Sequence, residues 1–237
     1  MPTILVTGAS RGLGLEFARQ YADDDWQVIA CCRSPGTADE LQSLAANNKN
    51  LTIEKLDVQN HAEIEALAKK YTGQPIDVLM NNAGLIGPLP YEDHIHRQHF
   101  GTTDYTAWDT VIQTNVYGPL KMVEAFVEHV AASELKIIAN ISSEVASIAG
   151  FTVPAIAYAS SKSALNRAMT IVANQLKDRG IIVKLFCPGY TKTRMDFSGY
   201  ATVEIPDSIA GLRDLISKLT IEDTGTFTRY DGKTLAW

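Results

Sequence analysis

Eight residues near the start of the chain restrict its possible folds more than any others. Thr7-Gly8-Ala-Ser-Arg-Gly12-Leu-Gly14 stands between an apolar run, Thr3–Val6, and a stretch with helical spacing, Gly12–Asp24, in which Leu13, Phe17 and Tyr21 share one side. Glycines at such a turn let the backbone come close to a bulky anion. A helix that begins there presents free N–H groups and the positive end of its dipole, which suits a pyrophosphate. The spacing is Gly-x-x-x-Gly-x-Gly, not the commoner Gly-x-Gly-x-x-Gly. An ordinary glycine turn is the plain alternative, and a strand before with a helix after argues against it.

The alternation continues along the chain. Strands are expected at Gln27–Cys32, Leu51–Leu56, Val78–Met80, Lys136–Ile141, Ile181–Phe186 and Thr226–Thr228. Helices are expected at Ala38–Ala46, His61–Tyr71, Trp108–Ala132, Tyr158–Asp178 and Ser208–Leu219. Strands separated by helices imply crossover units. The expected fold class is α/β: a single doubly wound Rossmann-type domain over residues 1–237, with a mostly parallel seven-stranded sheet and helices on both faces. Ligands of such sheets bind beyond the carboxyl ends of the strands.

A chain of 237 residues with 46% hydrophobic and 20% charged content suits one globular domain. The net charge is −6 and no basic patch stands out, so nucleic acid is not an expected partner. The first residues run directly into the strand Ile4-Leu-Val6, and no apolar run is long enough for a bilayer; neither a signal peptide nor a membrane partner is expected. Three cysteines, two of them adjacent, make no disulfide framework, and Cys31 and Cys32 would face opposite sides of a strand. A reducing cytoplasm is the expected location.

Tyr158-Ala-Ser-Ser-Lys162 opens a helical pattern, where residues four apart stack on one face. A free phenol titrates near pH ~10, too high for proton exchange at neutral pH. An ammonium one turn away favours the phenolate, and a shift of two or three units needs roughly 3–4 kcal/mol. Tyr158 could then give a proton to a carbonyl oxygen or take one from an alcohol. An accidental pair on an exposed helix face is the alternative.

Together these motifs resemble the short-chain dehydrogenase/reductase family, over nearly the whole chain. Thr7 to Gly14 is similar to its glycine motif, Asn81-Asn82-Ala83-Gly84 to its signature after the fourth strand, and Asn115 in Thr-Asn-Val-Tyr-Gly to its helix asparagine. Asn140-Ile-Ser-Ser143 ends the fifth strand, where the family keeps a serine; Pro188-Gly189 follows the sixth, with Thr191 and Thr193 beyond. The resemblance implies a catalytic set of Asn115, Ser143, Tyr158 and Lys162. In it Tyr158 is the acid/base, Lys162 lowers its pKa and holds the nicotinamide ribose, Ser143 holds the substrate oxygen, and Asn115 positions a water leading to Lys162. Ser142 and Ser143 are both candidates, and the family's pattern favours Ser143. It also implies nucleotide contacts from Gly8, Ser10, Arg11, Gly12, Leu13, Gly14, Arg33, Asp57, Val58, Asn82, Ala83, Gly84, Pro188, Gly189, Thr191 and Thr193, besides Tyr158 and Lys162. A substrate lobe is implied around 189–219, with Met195, Phe197 and Tyr200 making it apolar. The stretch between Ser143 and Tyr158 is longer than is common in the family, so Glu144–Ala157 is expected to form extra active-site wall.

The tail from Ile221 through Thr-Gly225 and Asp231-Gly232 to Trp237 is similar to that of sniffer-like and C-factor-like carbonyl reductases. That implies reduction of an aldehyde or ketone with NADPH. A dinucleotide-binding signalling protein, or another reaction on the same fold, is the alternative. The second strand ends Ala30-Cys-Cys32-Arg33, with Cys32 where enzymes selective for NAD carry an acidic residue. Arg33 and Arg11 offer planar donors to a 2′-phosphate, so NADP(H) is the expected cofactor. The expected partners are a small carbonyl compound and further copies of the chain, as a dimer or tetramer. In the family the helices near Trp108 and Tyr158 form the dimer interface; Met122, Phe126, Leu165 and Met169 suit that role or core packing. His94, His96 and His99 read as a solvated loop, and no metal is expected. Phe100, Tyr105 and Trp108 are candidates to line the substrate cleft or to pack their helix.

Overall fold

The computed structural model describes residues 1–87, 91–150, 152–196 and 199–237. Its strands are β1 (Thr3–Thr7), β2 (Gln27–Cys32), β3 (Leu51–Lys55), β4 (Val78–Asn81), β5 (Ile137–Ile141), β6 (Ile182–Cys187) and β7 (Phe227–Arg229). They form one sheet in the order β3-β2-β1-β4-β5-β6-β7, with the six pairings between these strands parallel and one antiparallel bridge from Thr228 to Thr234. The helices are α1 (Gly12–Asp23), α2 (Asp39–Asn47), α3 (His61–Lys70), α4 (Tyr91–His94), α5 (Tyr105–Ile112), α6 (Gly118–Ala131), α7 (Ile156–Leu176) and α8 (Ile205–Ser217).

Strand alternation divides the apolar side chains between two layers. Ile4 and Val6 of β1 join Phe17 and Tyr21 of α1, Leu41 of α2, and Ile209 and Leu212 of α8 on one face. Leu5 joins Ile64 of α3, Met122 and Phe126 of α6, and Leu165 and Met169 of α7 on the other. Each fully buried Leu, Ile or Phe contributes about 1.5–3 kcal/mol. Met122, Phe126, Leu165 and Met169 are core residues, buried to 1% exposure or less, and present no interface. Cys31 and Cys32 fall in opposite layers, as the pleat requires.

Several boundaries differ from expectation. The Trp108–Ala132 helix starts at Tyr105, because Asp104 accepts a hydrogen bond from the Ala107 N–H and caps it. A five-residue π turn, Gln113–Tyr117, interrupts it. Helix α7 starts at Ile156, two residues early, and α8 at Ile205, three early, with Pro206 in its first turn. The histidine segment is not a plain loop: it folds into α4 and a 3₁₀ turn, Ile95–Gln98, that buries Gln98. Among the described residues no helix is long and apolar enough to cross a membrane, and no group of three His, Cys, Asp or Glu could hold a metal ion.

Candidate active site

The strand order turns at β1 and β4, and the segments that follow these two strands are bonded together. Thr7 Oγ1 accepts from the backbone N–H groups of Asn82 and Ala83, both at 3.0 Å. Asn82 Nδ2 donates to the Thr7 carbonyl at 2.8 Å. A Cβ on Gly14 would stand 2.3 Å from the Gly8 carbonyl oxygen and 2.5 Å from Asn82 Nδ2. Gly8 has φ +70°, and a Cβ there would stand 2.9 Å from Ala83 Cα. Only glycine fits either place. Arg11 is the N-cap of α1 and its side chain makes no capping bond, so the first-turn N–H groups are left for another acceptor. Ser10 and Leu13 lie half-buried in this turn. Thr193 reaches over it from beyond β6, with Cγ2 4.0 Å from a Cβ position on Gly12.

Arg11 and Arg33 are both exposed. Cys32 is 3% exposed and sits in the core with Ala9, Ala38 and Leu41, so Arg33 and Ser34, not the thiol, form the open end of β2. Burial pushes the Cys32 thiol up, partly offset by the Ser34 N–H. Asp57 Oδ1 accepts from the Gln59 N–H at 3.0 Å. Val58 is buried, its Cβ 3.0 Å from a Cβ position on Gly118. Thr191 is also buried; its hydroxyl donates to the Pro188 and Gly189 carbonyls, holding that turn.

Tyr158 is the third residue of α7, half-buried, and Lys162 follows one turn later, 3% exposed. Lys162 Nζ lies 5.9 Å from the centroid of the Tyr158 ring and donates to the Ile141 carbonyl at 2.8 Å. Burial lowers the Lys162 pKa to about 8, with the neighbouring Cys187 acting in the opposite direction. A Cβ on Gly84 would lie 3.6 Å from Lys162 Nζ and 3.7 Å from Asn115 Oδ1, so the segment after β4 covers both.

Asn115 sits in the π turn, fully buried. Its Oδ1 accepts from the Leu85 N–H and its Nδ2 donates to the Leu85 carbonyl, both at 2.8 Å. Nδ2 also donates to Ser161 Oγ at 2.9 Å, and Ser161 Oγ donates to the Tyr158 carbonyl at 2.7 Å. An extra residue per turn is a common device for aiming a functional side chain out of the regular helical track. The two serines separate cleanly. Ser142 is buried and donates to Asn166 Oδ1 at 2.6 Å, whereas Ser143 is half-buried at the start of the 3₁₀ turn Glu144–Ala146.

The segment after Ser143 is tied to the C-terminal residues. Arg229 pairs with Glu144 at 3.7 Å and with Asp231 at 2.7 Å. The Ala149 N–H donates to the Trp237 carbonyl at 3.1 Å, and the Trp237 ring stacks on Phe227 at 5.8 Å. Phe100 and Tyr105 are 97% and 72% exposed, and Tyr105 stacks on Trp108 at 6.0 Å. A separate cleft of about 260 Å³, lined by Leu85, Gly87, Arg97, Asp104, Ala107 and Thr110 among others, includes none of these aromatics. In the 189–219 region Asp196 accepts from the Tyr190 hydroxyl and the Gly199 and Ala201 N–H groups. Met195 and Tyr200 are exposed there, and Phe197 lies outside the described residues. Gln98 and Ser161, both in contact with Tyr158 backbone, carry no sequence signal of their own.

Residues 2–202 match the family model described as short chain dehydrogenase. The NADPH-bound carbonyl reductase from chicken fatty liver is similar to this chain with a TM-score of 0.89 and 29% identity, over 100% of this chain and 99% of the other. Carbonyl reductase Sniffer of Drosophila melanogaster superposes with a TM-score of 0.88 and 30% identity, over all of both chains. The C-signal protein of Myxococcus xanthus is 31% identical over 175 residues, 73% of this chain and 100% of its own. A glycine turn fused to the segment after β4, a tyrosine beside a buried lysine, and a family match that spans β1 to β6 agree: the chain belongs to the short-chain dehydrogenase family.

Proposed function

We propose that this protein is an NADPH-dependent carbonyl reductase acting on an aldehyde or ketone. The observation that carries the reading is the half-buried Tyr158 one helical turn from the buried Lys162, whose Nζ lies 5.9 Å from the centroid of the tyrosine ring. The glycine cradle fits a dinucleotide: it has no room for a Cβ at Gly8 or Gly14, and the first-turn N–H groups of α1 lack a side-chain acceptor. Gly8, Ser10, Arg11, Gly12, Leu13 and Gly14 would hold its pyrophosphate side and Arg33 its 2′-phosphate. Asp57, Val58, Asn82, Ala83 and Gly84 would line the adenosine and ribose side, and Pro188, Gly189, Thr191 and Thr193 the nicotinamide side. When bound, NADPH supplies the hydride. The similar chicken enzyme carries NADPH, which supports the cofactor assignment.

Within this reading, Ser143 and Tyr158 donate hydrogen bonds to the substrate oxygen, and Tyr158 transfers its proton as charge develops there. Lys162 favours the phenolate that results. Asn115 ties the segment after β4 to α7 and so holds Lys162 and Tyr158 in register. The 189–219 region serves as the substrate lobe of a single domain. Further parts of the reading are a cytoplasmic location, in keeping with three free, buried cysteines, and a homo-oligomer. A carbonyl panel followed by NADPH absorbance tests it: turnover of at least one member is expected, and binding without any turnover would overturn it.

A further inference from the structure

We infer that Gln98 is a positioning residue for Tyr158, acting through the peptide of the tyrosine itself; this rests on the acid/base reading of Tyr158. Gln98 is 1% exposed, and both ends of its amide are used. Oε1 accepts from the Tyr158 N–H at 3.0 Å, and Nε2 donates to the Ile86 carbonyl at 2.8 Å.

The first bond supplies what α7 lacks. Tyr158 is the third residue of the helix, so its N–H has no partner within the helix. The N-cap is Ala155, which has no side-chain acceptor. Gln98 provides the missing acceptor from 60 residues away. A buried N–H left without one would cost free energy and let the first turn fray.

The second bond joins Gln98 to a larger arrangement. Asn115 holds Leu85 by both its N–H and its carbonyl, and Gln98 holds the next residue, Ile86. From there Gln98 takes the Tyr158 N–H, while Asn115, through Ser161 Oγ, takes the Tyr158 carbonyl. The tyrosine peptide is thus tied at both ends to the two residues that follow Gly84, the residue covering Lys162 Nζ. These ties set the phenol's place relative to the lysine. Gln98 is itself held inward by its neighbours: Arg97 forms an ion pair with Asp104, and the Asp104 N–H donates to the Arg97 carbonyl at 2.8 Å. Only one amide orientation satisfies Tyr158 and Ile86 together. A carboxylate would keep the bond to Tyr158 and oppose the Ile86 carbonyl, and a thioether of similar size would lose both.

The test compares Gln98→Met, Gln98→Glu and Tyr158→Phe with the unaltered protein. NADPH Kd, substrate KM, kcat per nucleotide-binding site and the pH dependence of alcohol oxidation are read for each. Gln98→Met is expected to lower kcat about tenfold or more, to leave NADPH Kd within about threefold, and to move the controlling pKa upward as the phenol leaves the lysine. Gln98→Glu is expected to lose less kcat than Gln98→Met and to raise KM instead, because the Ile86 segment is what it disturbs. Gln98→Met with kcat within about twofold and an unmoved pH profile overturns the inference, as does a Gln98→Glu kcat loss equal to that of Gln98→Met. If Gln98→Met does not fold, Gln98→Glu decides alone: a large kcat loss at unchanged KM overturns it, a raised KM with most of kcat kept supports it. Tyr158→Phe separates the two readings. If that variant keeps its turnover, the acid/base reading falls; if it is inactive while Gln98→Met behaves as wild type, only the role of Gln98 falls.

Discussion

Lys162 gives its ammonium to the carbonyl oxygen of Ile141, 2.8 Å away at the end of β5, in a place that is 3% exposed. A carbonyl dipole satisfies one of the three N–H bonds but does not replace a counter-charge. That is why burial lowers the lysine to about 8.

The consequence is a stability that depends on pH. Below about 8 both the folded and the unfolded chain hold the Lys162 proton, and the folded state bears the cost of burying it. Between about 8 and the ordinary value of 10.5 the unfolded chain binds more protons, so stability from this group rises with pH. Urea unfolding of wild type and Lys162→Met should show the difference between them moving in favour of wild type, by up to roughly 3 kcal/mol, from pH 7 to pH 10.5. A constant difference would mean that the lysine is not desolvated.

Tyr158→Phe keeps the ring and removes the proton donor. A kcat loss of roughly 10²–10⁴ is expected, with NADPH affinity little changed, as measured by steady-state reduction and fluorescence titration.

The serine pair gives opposite outcomes. Ser143→Ala should lower kcat by about 10²-fold with little change in stability, because it removes a donor at the substrate oxygen. Ser142→Ala should cost about 1–2 kcal/mol in urea unfolding while kcat per folded molecule stays near wild type, since its hydroxyl serves Asn166. Exchange of these two outcomes would reverse the assignment.

Arg33→Ala should weaken NADPH about 10- to 150-fold, the loss of an arginine–phosphate contact of roughly 1.5–3 kcal/mol, and leave NADH nearly unaffected. Kd values for both nucleotides at one fixed salt concentration check this. Cys32→Asp should cost roughly 1–3 kcal/mol in urea unfolding, because position 32 is 3% exposed and faces the core. Equal weakening of both nucleotides by Arg33→Ala would remove the 2′-phosphate contact.

The sequence by itself determined the features whose parts are neighbours along the chain. The glycine turn after β1, the Tyr158–Lys162 stacking and the strand–helix alternation each depend on a spacing of a few residues, and backbone geometry converts such spacing directly into position. Parallel pairing followed from the crossover units, whereas the strand order β3-β2-β1-β4-β5-β6-β7 is seen only in the structure. Only the tertiary structure decided the rest. Ser142 and Ser143 adjoin in sequence, and only the fold shows that the first is buried against Asn166 on α7 while the second is half-buried. Cys32 is buried in the layer that also holds Ala38 and Leu41, a placement its spacing did not reveal. Gln98 lies in a segment with neither periodicity nor motif, and its function rests on Ile86 and on Tyr158, 60 residues on. A hydrogen bond between distant residues has no period to read, because its partners meet only after the sheet has brought α7 and the segment after β4 together.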